Sequence, residues 1–519
     1  MAFLDYLKEE FNYTETENGA VALNSTMNAC LDAFGSMGAM KFASDDQIVD
    51  VFKNAFYEDR ATAMRILFYI RDVRGGQGMR RVFRVCLSWL AVNYPEYVIN
   101  NLDNILEYGR GDDFICLLNS ENYTVNNDVA EAALVKMAKI LTDDYDSMKN
   151  GGQISLLSKW AWSINTSSRK SRALGRRLCK TIGCSERSYR KMLSALRSYS
   201  NVVEKKMSAN KWNEIEYDKV PGAASLRYSN AFMKHDEDGY LNYIKELAKD
   251  PSKAKANTLF PADVVKGVLD YRVSNKDKIL YNAYWEALPN YFEGREETGI
   301  CMCDTSGSMN GEPLLVSLSL GLYCADKCKG PFKNHFITFD YKPELQEIKG
   351  DTIYEKVHSI RCINPWNTDL EAALQVILDT AVNNHCTNDE LPKKLYIISD
   401  MQFDEACDTD TSKRLDGKKK PFMQTMRQRF EDAGYEFPAI VYWNVRASKC
   451  GMWQETFQGE NCCMVSGYSA SLFKAVAEGT EIEKTVNEKG ETVTKQKLDP
   501  LTVMFKTISN ERYDKVWAG

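Results

Sequence analysis

Glu297-Thr-Gly-Ile-Cys301-Met-Cys303-Asp304-Thr-Ser306-Gly-Ser308-Met309 is the stretch on which the fold turns. Its first seven residues form a strand-like run, which stops at Asp304, and two hydroxyls follow at alternate positions. One carboxylate and two hydroxyls therefore share a short loop at the carboxyl end of a strand, the edge at which open α/β sheets hold ligands. Three hard oxygen donors suit a small divalent cation, Mg²⁺ or else Mn²⁺ or Ca²⁺, and leave positions open for water or a partner's oxygen.

Beyond this loop the hydrophobic period alternates. Helices are expected over Pro313 to Lys327, Asp351 to Ile360, Leu370 to Val382, Phe422 to Ala433 and Ser469 to Ala477. Between them lie strand-like runs at His335 to Tyr341, Leu395 to Ser399, Phe437 to Trp443 and Cys462 to Ser466, with Glu344 to Ile348 as an edge strand. Strands alternating with helices imply a doubly wound parallel sheet. Glu481 to Lys497 reads as an inserted hairpin turning at Asn487-Glu-Lys-Gly490, and Leu501 to Ile508 begins a closing helix.

Ahead of the loop the pattern is helical. The first twenty residues read as a loosely held lead-in. Ser44 and Gln47 then form a capping box, and Ile48, Val51, Phe52, Ala55 and Phe56 fall on one helix face. Further helices are expected over Arg60 to Arg71, over Met79 to Val92, and from Pro95 with Val98, Leu102, Ile105 and Leu106 inward and Gly109 as C-cap. Paired helices with short connections are the pattern of a HEAT-like array, although no fixed period is present. The Arg74-Gly-Gly-Gln-Gly78 segment lacks the Gly-Lys-Ser/Thr ending of a P-loop and follows a helix, so it reads as an interhelical turn. The expected division is a helical domain over 1–294 and an α/β domain over 295–519.

At 519 residues the chain exceeds one hydrophobic core, and 44% hydrophobic with 27% charged residues mark it as globular. No secretory signal or membrane span is read, which makes a soluble, cytoplasmic protein the expectation. Fifteen dispersed cysteines without paired Cys-x-x-Cys spacing read as reduced, mostly buried thiols rather than disulfides or zinc ligands.

The net charge of −6 conceals an asymmetry. Between residues 169 and 197, Arg169, Lys170, Arg172, Arg176, Arg177, Lys180, Arg187, Arg190, Lys191 and Arg197 face only Glu186. Arg169, Arg172, Arg176 and Lys180 recur every three or four residues and line one helix face, which suits a phosphate backbone. Trp160, Trp162 and Tyr189 lie nearby in sequence and offer rings for base stacking. The alternatives are a solvated basic face or a site for an acidic protein, with the tryptophans in the core.

Thr368 precedes one helix of the second half and Asp400 ends one of its strands, so both belong to the same sheet edge as Asp304. With Ser306 and Ser308 they resemble the metal-ion-dependent adhesion site of a von Willebrand factor A (vWA) domain, and the likeness extends to the order of strands and helices. It implies direct coordination by Ser306, Ser308 and Thr368, with Asp304 and Asp400 acting directly or through water. A Ser-capped loop without metal is the plainer alternative. A haloacid-dehalogenase-type phosphatase would need a second carboxylate where Ser306 stands, and no nucleophile elbow or histidine base is present. The protein is therefore expected not to be an enzyme.

A helical array followed by a vWA domain resembles the TROVE module of Ro-type ribonucleoproteins. Tyr69-Ile-Arg-Asp-Val-Arg-Gly-Gly76, Glu107-Tyr-Gly109, Ser158-Lys-Trp-Ala161, Val202-Val-Glu-Lys-Lys-Met-Ser208, Trp443-Asn444 and Val465-Ser-Gly-Tyr468 look like signatures of an uncharacterised family of TROVE-like proteins. The resemblance implies a HEAT-like helical domain that binds small non-coding or misfolded RNA and a doubly wound vWA domain that binds a protein partner through a divalent metal. A metal-dependent interaction scaffold without an RNA role is the alternative.

Overall fold

The computed structural model describes residues 3–118, 125–200, 202–295, 297–339, 343–361, 369–403, 422–448, 451–486 and 492–519. They form two compact units, each drawn from separate parts of the chain. The first joins Met1–Ile66 to Leu259–Asn510, and the second joins Leu67–Thr258 to Glu511–Gly519. The sheet begins close to the expected boundary at residue 295, but the compact units are interleaved in sequence rather than consecutive.

The first unit holds a six-stranded sheet in the spatial order Glu344–Glu347, His335–Phe339, Gly299–Asp304, Lys394–Ser399, Ala439–Asn444, Cys462–Ser466. Its strands are β3 (Gly299–Asp304), β4 (His335–Phe339), β5 (Glu344–Glu347), β6 (Lys394–Ser399), β7 (Ala439–Asn444) and β8 (Cys462–Ser466). The strands β4, β3, β6, β7 and β8 run parallel, whereas β5 closes one edge antiparallel to β4. Every residue of β3, β6, β7 and β8 is buried, because helices cover both faces of a parallel sheet and leave no polar alternation in its central strands. The registers Cys303↔Ile398, Ile398↔Trp443 and Trp443↔Val465 bring the carboxyl ends of these four strands level.

Beneath the sheet, the Phe473 ring on the helix Ser471–Gly479 lies 4.8 Å from the Trp443 ring and 5.0 Å from those of Tyr396 and Phe292. Truncating such a fully buried ring to alanine costs about 3–5 kcal/mol. The hairpin of β9 (Thr480–Val486) and β10 (Thr492–Leu498) forms where the sequence places it, although its Asn487–Gly490 turn lies outside the described residues.

The first twenty residues are not a loose lead-in. A helix over Phe3–Asn12 leads into a hairpin of β1 (Tyr13–Glu15) and β2 (Val21–Leu23). Leu23 and Trp453 exchange backbone hydrogen bonds of 2.8 and 3.1 Å, and the Thr16 hydroxyl donates to the Phe403 carbonyl at 2.6 Å. Three-residue strands are too short to carry a period, which is why the sequence pattern missed them. The helix Ala29–Ser36 and the turn after it reach the end of β8, where the Gly38 amide donates to Ser466 Oγ at 3.0 Å. A Cβ at Gly38 would lie 2.3 Å from the Ser466 carbonyl oxygen, so only glycine allows this approach. The helix Asp45–Glu58 follows with the Ser44–Gln47 capping box formed and Ile48, Val51, Phe52, Ala55 and Phe56 buried.

The second unit is built from helices, the longest being Asn127–Lys149. The expected helix from Pro95 is two short ones, Pro95–Ile99 and Asn104–Tyr108, separated where the Asn101 side chain donates to the Tyr97 carbonyl. The chain terminus returns to this unit. Arg512 and Tyr513 bind the Asp72 carboxylate, Tyr513 stacks on Tyr108 at 5.5 Å, and Asn101 Nδ2 donates to the Trp517 carbonyl at 2.8 Å. The Arg74–Gly78 segment is an interhelical turn whose amides are spent within it: Gln77, Gly78 and Met79 donate to the Tyr69, Asp72 and Ile70 carbonyls. Among the described residues no helix is long and apolar enough to cross a membrane.

Candidate functional site

Asp304 ends β3 with its carboxylate wholly buried. The loop after it turns because the Ser306 amide donates to Asp304 Oδ1 at 2.9 Å, an Asx turn that the Asp-x-Ser spacing encodes locally. This turn brings Ser306 Oγ within 3.1 Å of Ser308 Oγ. Asp400 follows β6 on the adjacent strand, accepts a hydrogen bond from the half-buried Ser308 hydroxyl and feels the charge of Arg446. Asp304, Ser306, Ser308 and Asp400 therefore meet at one sheet edge. Thr368, and the loop from Asn364 that leads to it, lie outside the described residues.

Two residues that the sequence reading did not single out orient this set. The Ser399 hydroxyl donates to Asp304 Oδ2 while accepting from the Met401 amide at 3.0 Å. Met401 takes up a left-handed backbone, φ 64°, immediately after Asp400. Arg446, two residues past β7, donates through Nη1 to the Ser308 carbonyl. Only the position of Ser399 beside Asp400 at a strand end could have flagged it.

Burial, reinforced by the charge of Asp400, pushes the Asp304 carboxyl up to about 7. Burial likewise raises Asp400. Two buried carboxylates and two hydroxyls form a donor set that fits a hard divalent cation, which would offset the charge concentrated there. Among the described residues no three His, Cys, Asp or Glu side chains gather as a metal-binding group, and this set has only two such side chains. The twelve described cysteines are free thiols, ten of them buried.

In the second unit the ten cations lie on two helices, Arg169–Ile182 and Glu186–Tyr199, capped by Ser168 and Ser185. Their surroundings divide them. Arg169, Lys170, Lys180, Arg187 and Lys191 are exposed, with no ion-pair partner among the described residues. Arg176 pairs with Glu186 at 3.0 Å, Arg177 with Glu131 at 2.6 Å, and Arg190 reaches Asn165 Oδ1 at 3.3 Å. Arg172 is half-buried and donates to the Thr166 carbonyl at 3.1 Å.

Arg197 does not belong to the exposed face. Its guanidinium turns inward and donates to the Ser158 and Ala161 carbonyls at 2.8 and 2.7 Å and to Ser163 Oγ at 2.9 Å, clamping the segment that holds Trp160. Tyr189 is also unable to stack on a base, because its ring is buried and its hydroxyl donates to the Trp162 carbonyl at 2.8 Å. Trp160 already carries the Arg110 guanidinium 4.3 Å above its ring. Arg110 ends a ladder in which Arg71 and Arg84 share Asp113 while Arg84 and Arg110 share Asp112. Nothing in the local sequence pattern announces this ladder.

The fold and its donor set define a chain with a helical unit and an α/β unit that gathers oxygen donors at the carboxyl edge of its mixed, mostly parallel sheet. Residues 298–508 match a family model described as a domain of unknown function (DUF7788), and residues 16–110 and 128–288 match a second such model (DUF2828). An uncharacterized protein of Acanthamoeba polyphaga mimivirus is 29% identical over 508 residues, covering 91% of this chain and 85% of that protein. Among solved structures, the RO protein of Deinococcus radiodurans is similar with a TM-score of 0.40 and 13% identity, over 81% of this chain and 88% of that one.

Proposed function

We propose that this is an RNA-binding protein of Ro-like architecture, in which the helical unit binds small or structured RNA and a vWA-like sheet edge binds a protein partner through a divalent cation. The observation that carries the RNA reading is the set of five exposed, unneutralised cations on two consecutive helices of an acidic protein. Holding like charges close together costs free energy unless a polyanion shares them, and exchanging their counterions for phosphates supplies the binding energy. At the sheet edge, Ser306 and Ser308, with Asp304 and Asp400 directly or through water, would hold Mg²⁺ or a similar ion. Thr368 completes the set by resemblance. The bound ion would present an open coordination position to an acidic side chain.

RNA titration at several salt concentrations tests the first part. Wild type is expected to show a steep salt dependence, and Lys180→Glu with Arg187→Glu to flatten the log–log slope by about 0.7 for each single-strand phosphate no longer neutralised. Absence of titratable RNA, or an unchanged slope, sinks the RNA reading. A metal-dependent scaffold without RNA is the second reading, favoured by Arg176 and Arg177, which are already neutralised by the protein's own Glu186 and Glu131.

A further inference from the structure

At the carboxyl ends of the neighbouring strands β3, β6, β7 and β8 stand Asp304, the last residue of β3, Asp400, one residue past β6, and Arg446 and Tyr468, two residues past β7 and β8, so the two acids are followed by a cation and a phenol. Arg446 is exposed and held at its base by its amide, which donates to Asn444 Oδ1 at 3.0 Å, and at its tip by the Ser308 carbonyl. It forms no ion pair with a carboxylate among the described residues. Tyr468 is only 6% exposed, and its hydroxyl has no hydrogen-bond partner among the described residues. A buried hydroxyl without a partner costs free energy, so the position suits a group supplied from outside the chain. The charges of both Glu312 and Arg446 act on this tyrosine, and Lys41 neutralises Glu312 at 2.6 Å. Beside Lys41 the Phe42 ring is 63% exposed and offers an apolar contact at the rim.

We infer that this edge is a two-point receptor for an acidic protein segment, with one carboxylate taken at the Asp304–Ser306–Ser308–Asp400 set and a second by Arg446 and the Tyr468 hydroxyl. The inference rests on the metal reading of the proposed function and adds the class of partner. Adjacent strands lie about 4.8 Å apart, so the two points are separated by roughly 5–10 Å, the span of two acidic residues two or three apart on an extended segment. Protein fits better than RNA. The exposed Glu17, on the turn tied to Gln402, acts on Asp400, so a continuous polyanion would meet like charge around the cation whereas two discrete carboxylates would not.

The test is fluorescence polarisation with labelled Asp-(Gly/Ser)n-Asp peptides of one to four spacer residues, their mono-Asn counterparts, and a single-stranded RNA competitor, in Mg²⁺ or in EDTA. Wild type is expected to bind at least one spacing only with Mg²⁺, and more tightly than either mono-Asn peptide. Arg446→Gln and Tyr468→Phe should each weaken binding about tenfold or more, the range for hydrogen bonds to a charged group. Tyr468→Phe should keep the wild-type Mg²⁺-dependent thermal stabilisation, which shows that the cation set survives, whereas Arg446→Gln, which loses the Ser308 carbonyl contact, is compared with wild type at saturating Mg²⁺. Equal binding by Arg446→Gln, equal binding of mono- and diacidic peptides, or failure of every spacing while Mg²⁺ stabilises wild type overturns the receptor and leaves the metal reading standing. If Mg²⁺ does not stabilise wild type, the metal reading fails and the receptor with it. Displacement of the peptide by RNA in an Arg446-dependent manner would overturn the protein assignment.

Discussion

At the sheet edge two carboxylates are buried beside a single arginine, whereas on the helices Arg169–Ile182 and Glu186–Tyr199 five cations stand in solvent without an acid partner among the described residues. The contrast separates two ways of using charge. Buried charges interact strongly because little solvent screens them, so a few atoms placed by neighbouring strands create a specific site. Exposed charges are screened beyond about 8–10 Å at physiological salt, so each contributes little and the face acts by number rather than by geometry. The first arrangement should respond to one ion and to single substitutions, and the second to ionic strength and to total charge.

Asp304→Asn should break the comparison most sharply. Without Mg²⁺ it is expected to be at least as stable as wild type, because burial and Asp400 already disfavour the ionised carboxyl. With Mg²⁺ at a hundred times its dissociation constant, wild type should gain about 2.7 kcal/mol that the variant lacks. Thermal unfolding with and without Mg²⁺ measures this, and equal gains would remove the metal assignment.

Arg197→Ala comes next, with an expected decrease of about 1–3 kcal/mol in stability from stranded carbonyls and no change in the salt slope of RNA binding. A flattened slope would return Arg197 to the binding face. Ser399→Ala is expected to lower Mg²⁺ affinity about tenfold by freeing Asp304 Oδ2, measured by calorimetry, with RNA affinity unchanged. Coupling between the two readouts would dissolve the distinction between the two regions. The smallest effect is expected at Arg176→Gln, whose charge Glu186 already neutralises, with a salt slope close to wild type while Lys180→Gln lowers it by about 0.7.

How far the sequence could be read depended on the range of the interactions involved. The Ser44–Gln47 capping box and the Asp304–Ser306 turn form over two or three residues, and both were legible. Asp400 was legible because a buried parallel strand is a continuous apolar run and its end is visible. Arg446 and Tyr468 carried no such mark, since they reach the edge only through strand order. The ten cations of the basic segment looked equivalent in sequence, and only packing turned Arg197 inward and paired Arg176 and Arg177 with acids. The β1–β2 hairpin escaped because its stability comes from Trp453 and Phe403, more than three hundred residues away.

The sequence by itself determined the change from helices to an alternating sheet near residue 295, the loop that presents Asp304, Ser306 and Ser308, and the density of positive charge between residues 169 and 197. These follow from hydrophobic period, hydrogen bonds across two or three residues and composition. Tertiary structure alone decided that the chain ends return to different units, that Ser399 and Arg446 hold the acidic loop, and which of the ten cations meet solvent. Each of those depends on residues brought together across long loops, where burial and charge are set by neighbours that no local pattern names.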